Sequence, residues 1–266
     1  MLGRIKVNQL EQFLSKNTIF GAGSLPLVHS TKAYHLRSLA QTNVLQATEC
    51  DVFINDKLNY FFVGRPAYKT RAEEAQSPYW QFPCCFIFEF SMIGDVRRMF
   101  PFDSGAFARK RYPSYTAMME LEQFDVGKVS DAPEKIIGAF FNTPQRYFEL
   151  KPKGKEEFIG QYALGAMDME IKALHRLSLE ESATNFDDRR LTIEVQSGSD
   201  VDLTVTNPLA VVAPSEFLDD PDFRRQVVEV WNATPISYSV GPLNVANSYG
   251  QIYEKVGEFY RQRGYL

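Results

Sequence analysis

The chain has 266 residues, a net charge of −4, 44% hydrophobic residues and 23% charged residues. This composition is ordinary for a globular protein and excludes a disordered chain, and the length fits one large domain or a single core with a subdomain. The acidic balance excludes an overall positive field that would attract nucleic acid, although it leaves room for a local basic patch.

The first residues and the cysteines predict a cytoplasmic protein with reduced thiols. Residues 1–17 contain no apolar run of signal-peptide length, and no apolar run reaches the roughly 18 residues of a membrane-spanning helix. Cys50, Cys84 and Cys85 match no zinc-ligand spacing. We therefore expect no membrane association and no metal, with Cys84 and Cys85 in the core.

Apolar periodicity and turn residues predict elements in irregular alternation. Helices are predicted at 7–16, from a cap at Ser30 or Thr31 to about 43, and at 115–124, 133–141, 143–150, 161–177, 215–231 and 247–261. Strands are predicted at 25–29, 58–63, 83–90, 191–196, 201–205, 209–214 and 235–240. Residues 97–114 are predicted to form a long ordered loop, and residues 151–157 a charged, solvated loop. The irregular alternation favours a mixed α+β fold over a doubly wound parallel sheet.

Three segments place polar residues among apolar ones. His29 and Thr31 lie in VHST, Arg65 lies at the end of the aromatic strand within YFFVGRPAY, and Glu194 lies in the alternating segment RRLTIEVQ. Each residue also has a structural interpretation: a core histidine, an arginine in an ion pair or turn cap, and a glutamate on the solvent face of a half-buried strand. The glycine-rich nucleotide motifs, the zinc-protease motif and the serine nucleophile elbow do not occur in the sequence.

The order of these segments, His-x-Thr, then the aromatic strand followed by Arg, Pro and Tyr, then a strand glutamate, resembles the ADP-ribosyltransferase superfamily. The closest similarity is to the DarT-type branch, which modifies DNA bases, and AVVAP resembles the strand after the glutamate strand. The resemblance implies an α+β fold with a mixed or antiparallel split β-sheet core and flanking helices. It also implies one domain over residues 1–266, with a helical insertion at about 115–180.

The resemblance further implies NAD as the substrate and a role for each polar residue. Glu194 would stabilise the positive charge that develops on the ribose, and Arg65 would bind the pyrophosphate or position the acceptor. His29 would hydrogen-bond the nicotinamide ribose, with Thr31 fixing the adenosine side or capping a helix. Two tyrosines, Tyr60 and Tyr68, are candidates for stacking on the nicotinamide ring, as is Phe61.

A basic stretch at residues 97–111 suggests which macromolecule accepts ADP-ribose. Cationic residues flank PFDSGAF and alternate with aromatic residues, a pattern that suits single-stranded nucleic acid; they are Arg97, Arg98, Arg109, Lys110 and Arg111. The alternative is a structural loop in which Asp103 accepts hydrogen bonds from nearby backbone N–H groups.

Several functions stay open on the sequence alone. They are transfer of ADP-ribose to a macromolecule, hydrolysis of NAD, a non-catalytic binding or scaffolding role, and hydrolysis at an unrecognised site. A toxin or defence role follows only from family analogy.

Overall fold

A computed structural model describes residues 8–17, 23–68, 78–180, 190, 192–241 and 245–266. The fold is mixed α+β, with a mostly antiparallel sheet flanked by helices. The chain divides into two compact units. Unit 1 contains Met1–Ser24, Arg97–Thr184 and Arg189–Val195, and unit 2 contains Leu25–Val96, Asn185–Asp188 and Gln196–Leu266.

The helices and strands follow in chain order. The helices are α1 (Gln9–Lys16), α2 (Leu36–Thr42), α3 (Ser104–Ala108), α4 (Ala132–Phe140), α5 (Pro144–Phe148), α6 (Lys155–Tyr162), α7 (Met169–Ser178), α8 (Ser215–Leu218), α9 (Pro221–Arg225) and α10 (Val245–Arg263). The strands are β1 (Leu27–Lys32), β2 (Val44–Leu45), β3 (Thr48–Glu49), β4 (Lys57–Val63), β5 (Pro83–Phe88), β6 (Val96–Phe100), β7 (Glu194–Ser197), β8 (Val201–Asp202), β9 (Ala210–Pro214) and β10 (Thr234–Tyr238).

Unit 2 is built on a sheet in which β10, β9, β5, β1 and β4 follow one another as hydrogen-bonded neighbours. β1 is antiparallel to both β4 and β5, whereas β9 and β10 pair in parallel. All six residues of β5 are buried, which is why this strand has a continuous apolar sequence instead of an alternating one. Phe86 packs on Trp231 with ring centroids 5.8 Å apart, so the segment after α9 covers this face of the sheet.

Unit 1 is largely helical and has an aromatic core. Phe13 of α1 contacts Phe140 of α4 and Phe158 of α6, with ring centroids 6.2 and 6.3 Å apart. His175 of α7 stacks on Phe158 at 4.1 Å and bonds the Lys153 carbonyl through Nε2 at 2.9 Å. His175 is therefore a satisfied core histidine, and burial lowers its pKa.

The predicted helix cap at Ser30 or Thr31 is wrong. β1 continues to Lys32 because β5 pairs with it along its whole length, with Ser30 opposite Cys85 and Thr31 opposite Cys84. Helix α2 begins only at Leu36, after a 3-10 turn. The Ser30 hydroxyl accepts from the Ala67 N–H instead, at 3.2 Å.

The predicted loop at 97–114 is also wrong, because it contains most of β6 and all of α3. Asp103 does accept a backbone hydrogen bond, and it does so as the N-cap of α3, from the Ala106 N–H at 2.6 Å. This contact confirms the part of the structural interpretation that concerned Asp103.

Several further elements differ from the prediction. The predicted helix at 115–124 is replaced by two 3-10 turns, Ser114–Thr116 and Leu121–Phe124, and the helix predicted at 215–231 is divided into α8, α9 and a π-helical turn at Gln226–Val230.

The predicted helix at 161–177 is divided between α6 and α7, with Ala163 in the left-handed region at φ 45°. α6 begins at Lys155, so only part of residues 151–157 is a loop, and Lys153 is buried. Val7 and Leu191, which the sequence placed at the starts of a helix and a strand, lie outside the described residues.

Gly64 ends β4 in a conformation that other residues avoid. Its φ is +66°, and the Arg65 N–H bonds the Val63 carbonyl at 2.8 Å across it, which forms a tight γ-turn. A Cβ at this position would lie 2.6 Å from Leu25 Cδ1. We expect Gly64→Ala to lower the free energy of unfolding by about 3 kcal/mol, measured by urea denaturation.

The matched control for this change is Gly94→Ala, since an added Cβ at Gly94 meets no atom within 4 Å. An equal loss of stability in both variants would show that the turn geometry at Gly64 is not the cause.

The three thiols differ in exposure. Cys84 and Cys85 are fully buried, and burial raises the pKa of Cys85 to about 12 and that of Cys84 above its usual range. Cys50 is partly exposed. We expect a chromogenic disulfide reagent to modify Cys50 in the native protein and the other two only after denaturation. Reaction of native Cys50→Ser at the same rate as the unchanged protein would contradict this assignment.

Across the part of the chain that the structure describes, we find no helix with the length and apolarity needed to span a membrane.

Candidate functional site

His29 is held in one tautomer by the neighbouring strand. Its Nδ1 lies 3.0 Å from the Tyr60 carbonyl oxygen, so Nδ1–H is the donor and Nε2 of the neutral ring is left as an acceptor. Desolvation lowers the pKa of the partly buried imidazole to about 4, so the ring is neutral near pH 7. An Nε2 acceptor suits a ligand hydroxyl that donates a hydrogen bond.

Side-chain alternation divides the candidate residues of unit 2 between two faces of the sheet. His29 pairs with Phe86 and contacts the Phe61 ring at 5.6 Å, and Thr31 points to the same face. Tyr60, one residue before Phe61, points to the opposite face.

The Tyr60 hydroxyl is engaged with a thiol. It lies 2.8 Å from Cys50 Sγ, which also accepts from the Val52 and Phe53 N–H groups. Tyr60 therefore contributes its carbonyl to the His29 side of the sheet and its phenol to the Cys50 turn.

Arg65 and Tyr68 lie on the side of the sheet that α10 covers. Arg65 is fully buried, and its Nη2 donates to the Tyr253 hydroxyl at 3.2 Å. Tyr68 packs on Tyr249 with ring centroids 5.0 Å apart, and its pKa is raised by burial next to Cys85. These contacts pack both residues, which follow β4 in the chain, against α10.

Glu194 is a buried carboxylate in unit 1. It is 1% exposed, and Ser104 bonds both of its oxygens: Ser104 N–H donates to Oε2 at 3.1 Å, and the Ser104 hydroxyl donates to Oε1 at 2.6 Å. Thr192 and Gln196 are also buried, so the interpretation of this face as a solvent face is wrong. The residue that orients Glu194, Ser104, was missed because it lies in the segment predicted as a loop.

The basic stretch of unit 1 is exposed at both of its ends and largely buried in between. Arg109, Lys110 and Arg111 are exposed directly after α3. Phe102 is buried and stacks on Phe107 at 5.0 Å, so it belongs to the core. Arg97 is exposed and Arg98 half-buried on β6.

Neither a metal site nor a similarity to a known protein helps to identify the function. Among the described residues, no three His, Cys, Asp or Glu side chains converge as a metal site would require. No protein-family model, curated protein or solved structure gives a significant match to the chain.

Proposed function

We propose that the chain is an NAD-dependent ADP-ribosyltransferase that transfers ADP-ribose to a macromolecular acceptor. The observation that supports this most is the Glu194 carboxylate, which is 1% exposed and bonded at both oxygens by Ser104. Burying a carboxylate costs free energy, and an apolar residue in a buried strand would avoid that cost. A chemical role for Glu194 explains its position better than a contribution to stability.

The reaction breaks the bond between ribose C1′ and the nicotinamide nitrogen, whose electron pair leaves with nicotinamide. Glu194 stabilises the positive charge that develops on the ribose. A lone pair of the acceptor then forms the new bond to C1′, and the acceptor loses its proton to Glu194 or to water.

His29 takes the role of a ribose ligand in this proposal. Its Nε2 accepts a hydrogen bond from a ribose hydroxyl, since Nδ1–H is already donated to the Tyr60 carbonyl. Thr31, on the same face of β1, supplies a hydroxyl that hydrogen-bonds the adenosine side of the dinucleotide.

The other three candidates already have partners, which the dinucleotide would have to replace. Arg65 binds the pyrophosphate if a phosphate oxygen replaces the Tyr253 hydroxyl as the acceptor of Nη2. Stacking of Tyr68 on nicotinamide competes with its contact to Tyr249. Tyr60 points to the face of the sheet opposite to His29 and its hydroxyl is engaged with Cys50, so we do not propose it as the stacking residue.

We propose single-stranded nucleic acid as the acceptor. The exposed Arg109, Lys110 and Arg111 neutralise phosphates, and Arg97 extends the basic surface of unit 1. Phe107 and Tyr112 are the partly exposed aromatic residues of this segment. They provide the faces on which bases stack.

The test is incubation of the purified chain with NAD labelled in its adenylate, alone and with single-stranded DNA or RNA. Label on the polymer is the expected result. Release of free ADP-ribose at the same rate with and without polymer would replace transfer by NAD hydrolysis. Unchanged NAD, together with no rise in the melting temperature when NAD is added, would support a non-catalytic role.

A further inference from the structure

An open groove of about 540 Å³ lies within unit 2, away from the residues assigned to NAD. Its walls are α2, the turn at Tyr79, and the segment from α8 to Val230. The volume is in the range of ligand-binding clefts. Among the described residues, those that line it include none of the NAD candidates, so its function is independent of the proposed reaction.

Three aromatic residues line the groove, Tyr79, Phe217 and Phe223. Tyr79 is 46% exposed, and its ring contacts edge to face, at 5.2 Å, the ring of Trp80, which lies outside the lining. Tyr79 contacts Phe217 at 5.5 Å, and Phe217 contacts Phe223 at 6.2 Å. Partly exposed aromatic rings that lie next to one another form an apolar patch, and such patches are typical of binding surfaces.

The charge of the groove is negative. Its lining contains four carboxylates, those of Glu216, Asp220, Asp222 and Glu229, and two guanidinium groups, those of Arg37 and Arg225. Arg225 is bonded to Asp222 at 2.8 Å, which neutralises that pair. Three carboxylates and one guanidinium group remain in the lining, so the groove attracts a cationic ligand. Aromatic faces bind guanidinium and ammonium groups as well.

One wall of the groove is a π-helical turn, Gln226–Val230, a rare conformation that is frequent at functional sites. Asn43 Oδ1 anchors this turn by accepting from Gln226 Nε2 at 2.6 Å and from Trp231 Nε1 at 2.8 Å. The turn presents Glu229 and the 40% exposed Val230 to the groove. The wall is therefore fixed before any ligand binds.

We infer that this groove, defined by Tyr79, Phe217, Phe223, Glu216 and Glu229, binds a basic, extended peptide segment of a partner protein. Lysine or arginine side chains of the peptide contact the aromatic faces and pair with the two glutamates. In an extended peptide every second side chain points to the same face, so alternate basic residues can all face the groove, and complementary charge selects a basic peptide.

The probe is a fluorescein-labelled peptide of alternating arginine and alanine, with anisotropy as the readout at physiological salt. We expect saturable binding that Glu216→Gln/Glu229→Gln weakens about tenfold, as expected when two charge-assisted contacts are lost. Tyr79→Ala should weaken binding without any change in net charge. The control is Glu49→Gln/Glu254→Gln, which removes two exposed charges of unit 2 outside the groove lining.

Each result decides the proposal. Loss of affinity in the groove variants alone supports it. Equal loss in the control would show attraction to net charge only, and the absence of saturable binding to the unchanged protein would also overturn it. A matched glutamate–alanine peptide should not bind, and melting temperatures confirm that each variant is folded.

Discussion

Glu194→Gln is expected to abolish NAD turnover while the protein stays folded. Removing one electrostatic stabiliser of a transition state typically slows a reaction by about 10²–10³-fold. Glutamine keeps the shape of the side chain, and its amide can still accept from Ser104 N–H and donate to the Ser104 hydroxyl, since a hydroxyl both donates and accepts. The measurement is the rate of nicotinamide release, together with the midpoint of urea denaturation, which shows whether the variant is folded.

Two further variants separate chemistry from structure. Glu170→Gln is the matched control, because Glu170 is also a buried carboxylate of unit 1 and accepts from Gln123 Nε2 at 2.7 Å. It should leave turnover unchanged. Ser104→Ala should reduce turnover less than Glu194→Gln does, because the backbone N–H still bonds Glu194. Full activity of Glu194→Gln would remove Glu194 from the reaction.

The second large effect is a loss of stability in acid that originates at His29. Burial lowers the folded-state pKa of His29 from 6.5 to about 4. Between these values the unfolded chain binds a proton that the folded chain does not, so stability falls as the pH falls. We expect the free energy of unfolding to decrease by about 2 kcal/mol between roughly pH 7.5 and pH 5 on account of this residue.

The measurement is urea denaturation at both pH values, compared with His29→Gln. That variant should lose about 2 kcal/mol less over the same interval. His35→Gln, which changes an exposed neighbouring histidine, should retain most of the decrease. His175 is also buried with a lowered pKa, so a decrease that disappears only in His175→Gln would contradict the assignment to His29.

The sequence predicts elements well where local chemistry decides them. The aromatic and branched residues before Gly64 form β4, and Gly64 ends it in a turn. Thr143 caps α5 by accepting from the Arg146 N–H at 3.2 Å, with Pro144 in the first turn as predicted. In both cases the residues that specify the structure lie within a few positions of one another.

Contacts between residues that are distant in the sequence explain the two wrong predictions, the one at Ser30 and Thr31 and the one at Glu194. Ser30 and Thr31 are good helix caps, but pairing with β5 keeps them in a strand, and a single sequence does not show that partner. Glu194 alternates with apolar residues as a solvent-facing residue would, yet Ser104, 90 positions away in the chain, bonds and buries it. Alternation identifies the two faces of a strand and not what covers each face.

The most direct test of the NAD proposal is a histidine ¹⁵N spectrum of the chain, titrated with NAD. The chain has three histidines, so each resonance is assignable by substitution. We predict that free His29 is the Nδ1–H tautomer and that NAD shifts its Nε2 resonance while the buried His175 does not respond. A spectrum in which saturating NAD leaves His29 unchanged would contradict the account.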